Sequence, residues 1–235
     1  MKYFVKKGIS LICIGIVVYD FFSIGAYLKS SFSQKQRYEI LRANLASDVK
    51  VDEGKSILSE MKSVNEDIIG WIKVSGTNIN YPILQADDNT YYLSHSFDKT
   101  PSKGGSIYMD YRNSSSFEDK NTILYGHNMK DGSMFAELKK FKKEAFILEN
   151  NIIYVNRNDD TLIYEIFAVY VTDPDFEYRK IAYDNVWEFE KFSKQVKALS
   201  SVQTNQVITK EDKILTLSTC EGSGKRLVVH AKRLN

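Results

Sequence analysis

Two cysteines occur in this chain of 235 residues, in opposite surroundings. Cys13 lies inside an apolar N-terminal stretch. Cys220 ends the run Lys213-Ile214-Leu215-Thr216-Leu217-Ser218-Thr219-Cys220, which reads as a β-strand delivering a thiol at its tip. A lone thiol in a domain facing an oxidising exterior has no disulfide partner, and nucleophilic chemistry explains it best. The plain alternative is a small buried hydrophobe, the commonest fate of a free cysteine. After Glu221-Gly222-Ser223-Gly224-Lys225 a second strand opens with Arg226. If this loop is symmetric, paired positions have a constant sum. Cys220 then faces Arg226, Ser218 faces Val228 and Thr216 faces His230. Cross-strand partners share a face about 5 Å apart. A guanidinium at that distance stabilises negative charge on sulfur and donates to an oxyanion. The plain alternative for Arg226 is a surface arginine on a sheet edge.

A thiol nucleophile also needs a proton shuttle, and imidazole is the usual one. The chain holds three histidines. His95 lies in the polar loop Tyr92-Leu93-Ser94-His95-Ser96. His230 is four residues beyond Arg226, and four residues of strand span about 13 Å. If Arg226 is beside the thiol, His230 is not. His127 follows a strand directly in Leu124-Tyr125-Gly126-His127-Asn128-Met129, after a glycine that permits an unusual backbone. By elimination His127 is the partner for Cys220. Taken singly, each histidine is more often structural.

The elements that must position these groups are mostly short strands. Apolar or alternating runs separated by turn signals occur at 70–74, 79–84, 105–109, 122–126, 152–155 and 162–171, followed by the two C-terminal strands. Strands without long interleaved helices predict a mainly antiparallel barrel or sandwich. Two helices interrupt them. One runs from Ser133 to Phe141 with Met134, Leu138 and Phe141 on one face. The other runs from Asn185 to Ser200 with Phe189, Phe192, Val196 and Leu199 on one face and Asp184 as N-cap. A net charge of +2 argues against a nucleic-acid footprint.

The N-terminus carries Lys2, Lys6 and Lys7 ahead of an apolar run from Gly8 to Leu28, interrupted by Asp20. The flanking lysines predict an inside N-terminus and an outside C-terminus. Residues 1–30 are read as an uncleaved anchor. A signal peptide cut after Ser23-Ile24-Gly25 is the alternative. Residues 31–66 form a helical stalk or cover, with Phe32, Tyr38, Leu41 and Leu45, then Ile57, Leu58, Met61 and Val64, at helical spacing. Asp52-Glu53-Gly54 separates its two helices, and residues 67–235 form the catalytic domain.

As a set these motifs resemble the sortases. Thr216-Leu217-Ser218-Thr219-Cys220 precedes Arg226, and Leu124-Tyr125-Gly126-His127-Asn128-Met129 lies roughly ninety residues upstream. The stretches 105–113, Gly132-Ser133-Met134-Phe135 and Lys225-Arg226-Leu227-Val228-Val229, with the long helix near 185–200, are similar to class B. The resemblance covers about residues 55–235. It implies a mainly β fold, an eight-stranded barrel with N-terminal helices and an inserted helix before the cysteine strand. It also implies an extracellular, membrane-anchored cysteine transpeptidase working without cofactor or metal. His127, Cys220 and Arg226 match the family's catalytic residues, and Asn89, Leu93, Tyr178, Ser218 and Glu221 match its substrate groove. The implied partners are surface proteins bearing a sorting signal cut after Thr, and peptidoglycan or its lipid-linked precursor as amine acceptor.

Two other readings stay open on sequence. A papain-like peptidase usually places its cysteine first and at a helix start, whereas here His127 comes first and no Asn or Asp orienter stands out. A membrane-tethered binding barrel with an inert Cys220 is the other.

Overall fold

In the computed structural model, residues 2–47, 57–157 and 160–235 are described. The chain divides into two compact units, Met1–Ser47 and Asp48–Asn235. The first is a single helix, α1 (Lys2–Ser47), which runs unbroken across the expected boundary between anchor and stalk. No proline precedes Pro82, so nothing in this stretch removes a helical backbone donor. Within α1 the stretch Ile12–Arg42 is long and apolar enough to cross a bilayer, with Tyr19, Phe21 and Phe22 exposed. The break expected at Asp52-Glu53-Gly54, like the side chains of Ile57 and Leu58, lies outside the described residues.

In the second unit a short helix, α2 (Ile57–Val64), leads into strands β1 (Ile68–Val74) and β2 (Asn80–Leu84). Strands β3 (Ile107–Met109), β4 (Asn121–Tyr125), β5 (Ile152–Arg157) and β6 (Asp160–Thr172) follow. The chain ends in β7 (Ile214–Glu221) and β8 (Lys225–Arg233). These eight strands close into a barrel in the order β1-β2-β3-β4-β7-β8-β6-β5. Six neighbouring pairs are antiparallel, while β2–β3 and β4–β7 are parallel. A parallel pair needs a crossover, and the long segments after β2 and β4 supply them.

Strand β7 is buried at every position from Ile214 to Thr219, without alternation. The cause is a hydrophobic cluster packed against it. Helix α4 (Val186–Ala198) contributes Phe189, Phe192 and Val196, which meet Tyr170, Ile214 and Val228 from the strands. A strand covered on both faces reads as a continuous apolar run.

Two helical expectations are corrected in detail. The helix expected over 133–141 is a 3₁₀ helix, Ala136–Lys142, followed by α3 (Glu144–Asn150). Gly132 and Met134 both have positive φ (84° and 55°), so the chain turns here and cannot yet be helical. The cap of α4 is Asn185, whose side chain accepts from Glu188 N at 3.1 Å, and not Asp184. The Asp184 N–H instead donates to the Glu188 carboxylate at 2.8 Å, so both residues serve the same helix start.

His230 sits beneath α4, fully buried and 5.9 Å from the Phe192 ring. Its ring nitrogens meet the Thr216 hydroxyl and the Tyr170 hydroxyl, each at 2.8 Å. Burial holds this imidazole down to about 3, against 6.5 for the free group. The unfolded chain therefore takes up a proton near pH 6.5 and the folded chain only near 3, so stability falls as pH drops through that window. Urea unfolding of the full chain in detergent at pH 7 and pH 5 should differ by about 2 kcal/mol from this group, and His230→Gln should flatten the difference. The depressed carboxylate of Glu118, held near 2 by Lys213, Arg233 and Arg157, loses its stabilising effect only below about 4.5, outside that interval. An unchanged pH slope in His230→Gln would remove His230 as its source.

Candidate active site

The hairpin β7–β8 has the expected register: Thr216 opposite His230, Ser218 opposite Val228, Cys220 opposite Arg226. The loop is tighter than the five residues expected, because Glu221 still pairs with Lys225. Positive φ at Ser223 (47°) and Gly224 (81°) turns the chain, and Lys225 N donates to Gly222 O at 3.0 Å. Shortening a hairpin loop equally from both sides leaves the pairing sum unchanged, so the register survives. Along this face burial ends abruptly. Thr216 and Ser218 are covered, whereas Cys220 is exposed.

On the other side of β7 runs β4, parallel, with Tyr125 level with Ser218 and Gly126 N donating to Ser218 O at 3.3 Å. Two residues further along each strand are His127 and Cys220. The chain ends are tied there by Asn128 Nδ2, which donates to Cys220 O at 2.8 Å. Cys220 thus ends a strand flanked by β4, which leads to His127, and by β8, which carries Arg226. Adjacent strands lie about 4.8 Å apart. Gly126 is needed for space and not for an unusual φ: a Cβ there would meet Ile107 Cδ1 at 2.4 Å and the Phe135 ring at 2.8 Å.

An orienter for His127 was not visible in the sequence because it is a backbone group. His127 Nε2 lies 2.8 Å from Leu93 O. A carbonyl only accepts, so Nε2 carries hydrogen in this contact and Nδ1 remains for proton exchange. Gly105 (φ 54°) packs against that turn, where a Cβ would meet Tyr92 O at 2.4 Å and Leu93 O at 2.7 Å. The other histidines are placed elsewhere. His95 stacks on Tyr91 at 4.1 Å with Nδ1 on Tyr91 O at 2.8 Å. His230 pairs with Thr216 within the barrel wall.

The remaining predicted residues are distributed around this edge. Leu93 exposes its side chain while its carbonyl serves His127. Asn89 Oδ1 accepts from Tyr111 N at 3.0 Å. Glu221 pairs with Lys142 at 2.8 Å. Tyr178 and Ser218 are both buried, and their hydroxyls lie 2.9 Å apart. A polar cluster beneath the edge escaped the sequence reading. Asp110 is fully buried and takes two hydrogen bonds from the Arg112 guanidinium, both 2.9 Å, one from Arg112 N at 3.1 Å and one from Tyr125 Oη at 2.8 Å. Burial pushes this carboxyl up, but the Arg112 and Tyr125 hydrogen bonds outweigh it and hold it below its usual range. Burial raises the Tyr125 and Tyr108 phenols well above theirs. An Asp-x-Arg in a loop carries no sequence sign of burial.

A family model described as a sortase domain matches residues 72–234. The chain belongs to the sortase family. It is 36% identical over 225 residues to sortase B of Listeria monocytogenes, covering 94% of this chain and 92% of that one. It is 31% identical over 242 residues to sortase B of Staphylococcus aureus, covering 99% and 97%. A solved Staphylococcus aureus sortase B–substrate complex superimposes with a TM-score of 0.82 at 32% identity, covering 88% of this chain and 98% of that one. These relatives make the protein a class B sortase with the eight-stranded barrel expected of one. As a sortase it is a cysteine transpeptidase that cleaves sorting signals and transfers the product to the cell wall. Sortases of this kind are cell-surface enzymes of Gram-positive bacteria.

Proposed function

We propose that Cys220, His127 and Arg226 are the catalytic residues of this sortase, and that it cuts its sorting signal after threonine. The observation that carries the reading is the placement of the Cys220 strand end between the end of β4 and Arg226 on β8. Cys220 Sγ, its proton passed to His127, attacks the threonine carbonyl carbon as the thiolate, forming a C–S bond. The negative charge moves to the carbonyl oxygen, where Arg226 and a backbone N–H near the cysteine stabilise it. His127 protonates the amine as the C–N bond breaks, leaving a thioacyl enzyme. An amine of peptidoglycan or its lipid-linked precursor then attacks the thioester, His127 takes its proton, and the C–S bond breaks to leave a new amide and the Cys220 thiolate. Asn89, Leu93 and Glu221 line the peptide groove, and the buried pair Tyr178 and Ser218 backs it. Residues 1–30 anchor the chain in the membrane as a single, uncleaved span with residues 67–235 outside, and 31–66 act as stalk.

The full chain, recovered from the membrane fraction with Met1 retained, tests this. With a sorting-signal peptide alone it should release the acid slowly. An added glycine oligomer or diamine should divert the thioacyl group to a new amide, because a positioned amine outcompetes water through proximity. Mass spectrometry separates the two products. Acid alone with every amine, cross-bridge fragments included, would favour a hydrolytic peptidase.

A further inference from the structure

Between β6 and α4 the chain passes close above Ser218, and three successive carbonyls there are each held by a side chain. Asn121 Nδ2 donates to Tyr178 O at 3.2 Å and to Lys180 O at 2.8 Å. Arg112 Nη2 donates to Arg179 O at 3.2 Å. The Tyr183 hydroxyl adds a bond to Lys180 O at 3.1 Å. Both hydrogens of the Asn121 amide are thereby used.

The rest of the network fixes which way that amide points. Asn121 is fully buried, and its Oδ1 accepts from the Thr216 hydroxyl at 2.6 Å. A hydroxyl has one hydrogen, so toward His230 Nδ1, 2.8 Å away, the Thr216 oxygen accepts. His230 Nδ1 therefore carries hydrogen, and its Nε2 accepts from Tyr170 Oη. The chain of donors runs one way, from Tyr170 through His230, Thr216 and Asn121 to the 178–180 carbonyls. A flipped Asn121 would set its oxygen against two carbonyl oxygens. The far end of the held segment reaches the site. The Tyr178 hydroxyl meets Ser218 Oγ, and Ser218 is the same-face neighbour of Cys220, about 7 Å along the strand.

From this arrangement we infer that Asn121 is a specificity-determining positioning residue, holding segment 178–180 as the wall of the peptide groove beside Cys220. It touches neither substrate nor thiol. The inference rests on the assignment of Cys220 as nucleophile. What it sets is the fit of the extended sorting peptide next to the scissile bond, and not the reactivity of the sulfur.

Asn121→Ala and Asn121→Asp, made in the full chain, test it with three readouts. KM for a sorting-signal peptide should rise about tenfold, the scale of one lost buried hydrogen bond, with kcat changed less. Hydrogen exchange across 178–182 should speed up. Alkylation of Cys220 by iodoacetamide should stay within about twofold of the parent. Thr216→Val keeps the side-chain shape while cutting the link that orients the amide, and should shift KM the same way where the Asn121 variants fail to fold. Folded variants with unaltered KM and unaltered exchange at 178–182 overturn the inference, as does an equal loss of kcat, KM fit and alkylation rate. A Cys220 that resists iodoacetamide in the unsubstituted protein would instead overturn the nucleophile.

Discussion

Cys220→Ala should leave a folded sortase with no cleavage of a sorting-signal peptide. The thiol is exposed at the end of β7, and alanine keeps the backbone pairing with Arg226 and the Asn128 bond to the Cys220 carbonyl. Removing one exposed sulfur should change stability by no more than about 0.5 kcal/mol. In the proposed mechanism all covalent catalysis passes through that atom, and neither alanine nor a nearby water can form the thioacyl intermediate. Release of a quenched fluorophore measures cleavage, and circular dichroism reports the fold. Cleavage retained in a folded Cys220→Ala protein would take the thiol out of the mechanism.

Arg226→Lys should be nearly as inactive as Arg226→Ala, each down on the order of 10²-fold or more. Arg226 pairs with Cys220 across the hairpin, and its guanidinium makes two long contacts with the turn, to Gly224 O at 3.5 Å and Lys225 O at 3.3 Å. Such contacts leave donors to point at a developing oxyanion. Lysine restores the charge without the planar fork, so it cannot hold a carbonyl in place and bond its oxyanion with the same group. The comparison of kcat/KM for the two variants decides between charge and geometry. Near-normal rates in Arg226→Lys would show that charge alone suffices.

The parts of the site legible in the sequence are those set by local arithmetic. The hairpin fixes Cys220 against Arg226 because strand pairing conserves the sum of positions, and the same sum places His230 well away from the thiol. His127 emerged by exclusion. The parallel contact of β4 with β7, which sets Tyr125 level with Ser218, two residues before His127 and Cys220, joins segments some ninety residues apart and leaves no local pattern. Nor does periodicity reveal a strand buried on both faces, as β7 is, since that depends on where α4 packs. Asp184 and Asn185 are equally good caps by type, and only backbone geometry chooses between them. The orienter of His127 and the carbonyls held by Asn121 are backbone atoms, which every residue possesses and no motif marks.

The three side chains proposed for chemistry ride on three adjacent members of one hydrogen-bonded barrel, β4, β7 and β8, or on the residue just past a strand end. The excursion between β6 and β7, with α4 inside it, is inserted without interrupting any pairing among those three. The length of that excursion can thus change while the three positions keep their spacing, as long as the residues packed on the barrel, Phe189, Phe192 and Val196, keep their contacts. Exchanging residues 173–213 between relatives should therefore keep the three positions in place only if the barrel residues that hold the segment, Asn121 and Ser218 among them, are exchanged with it.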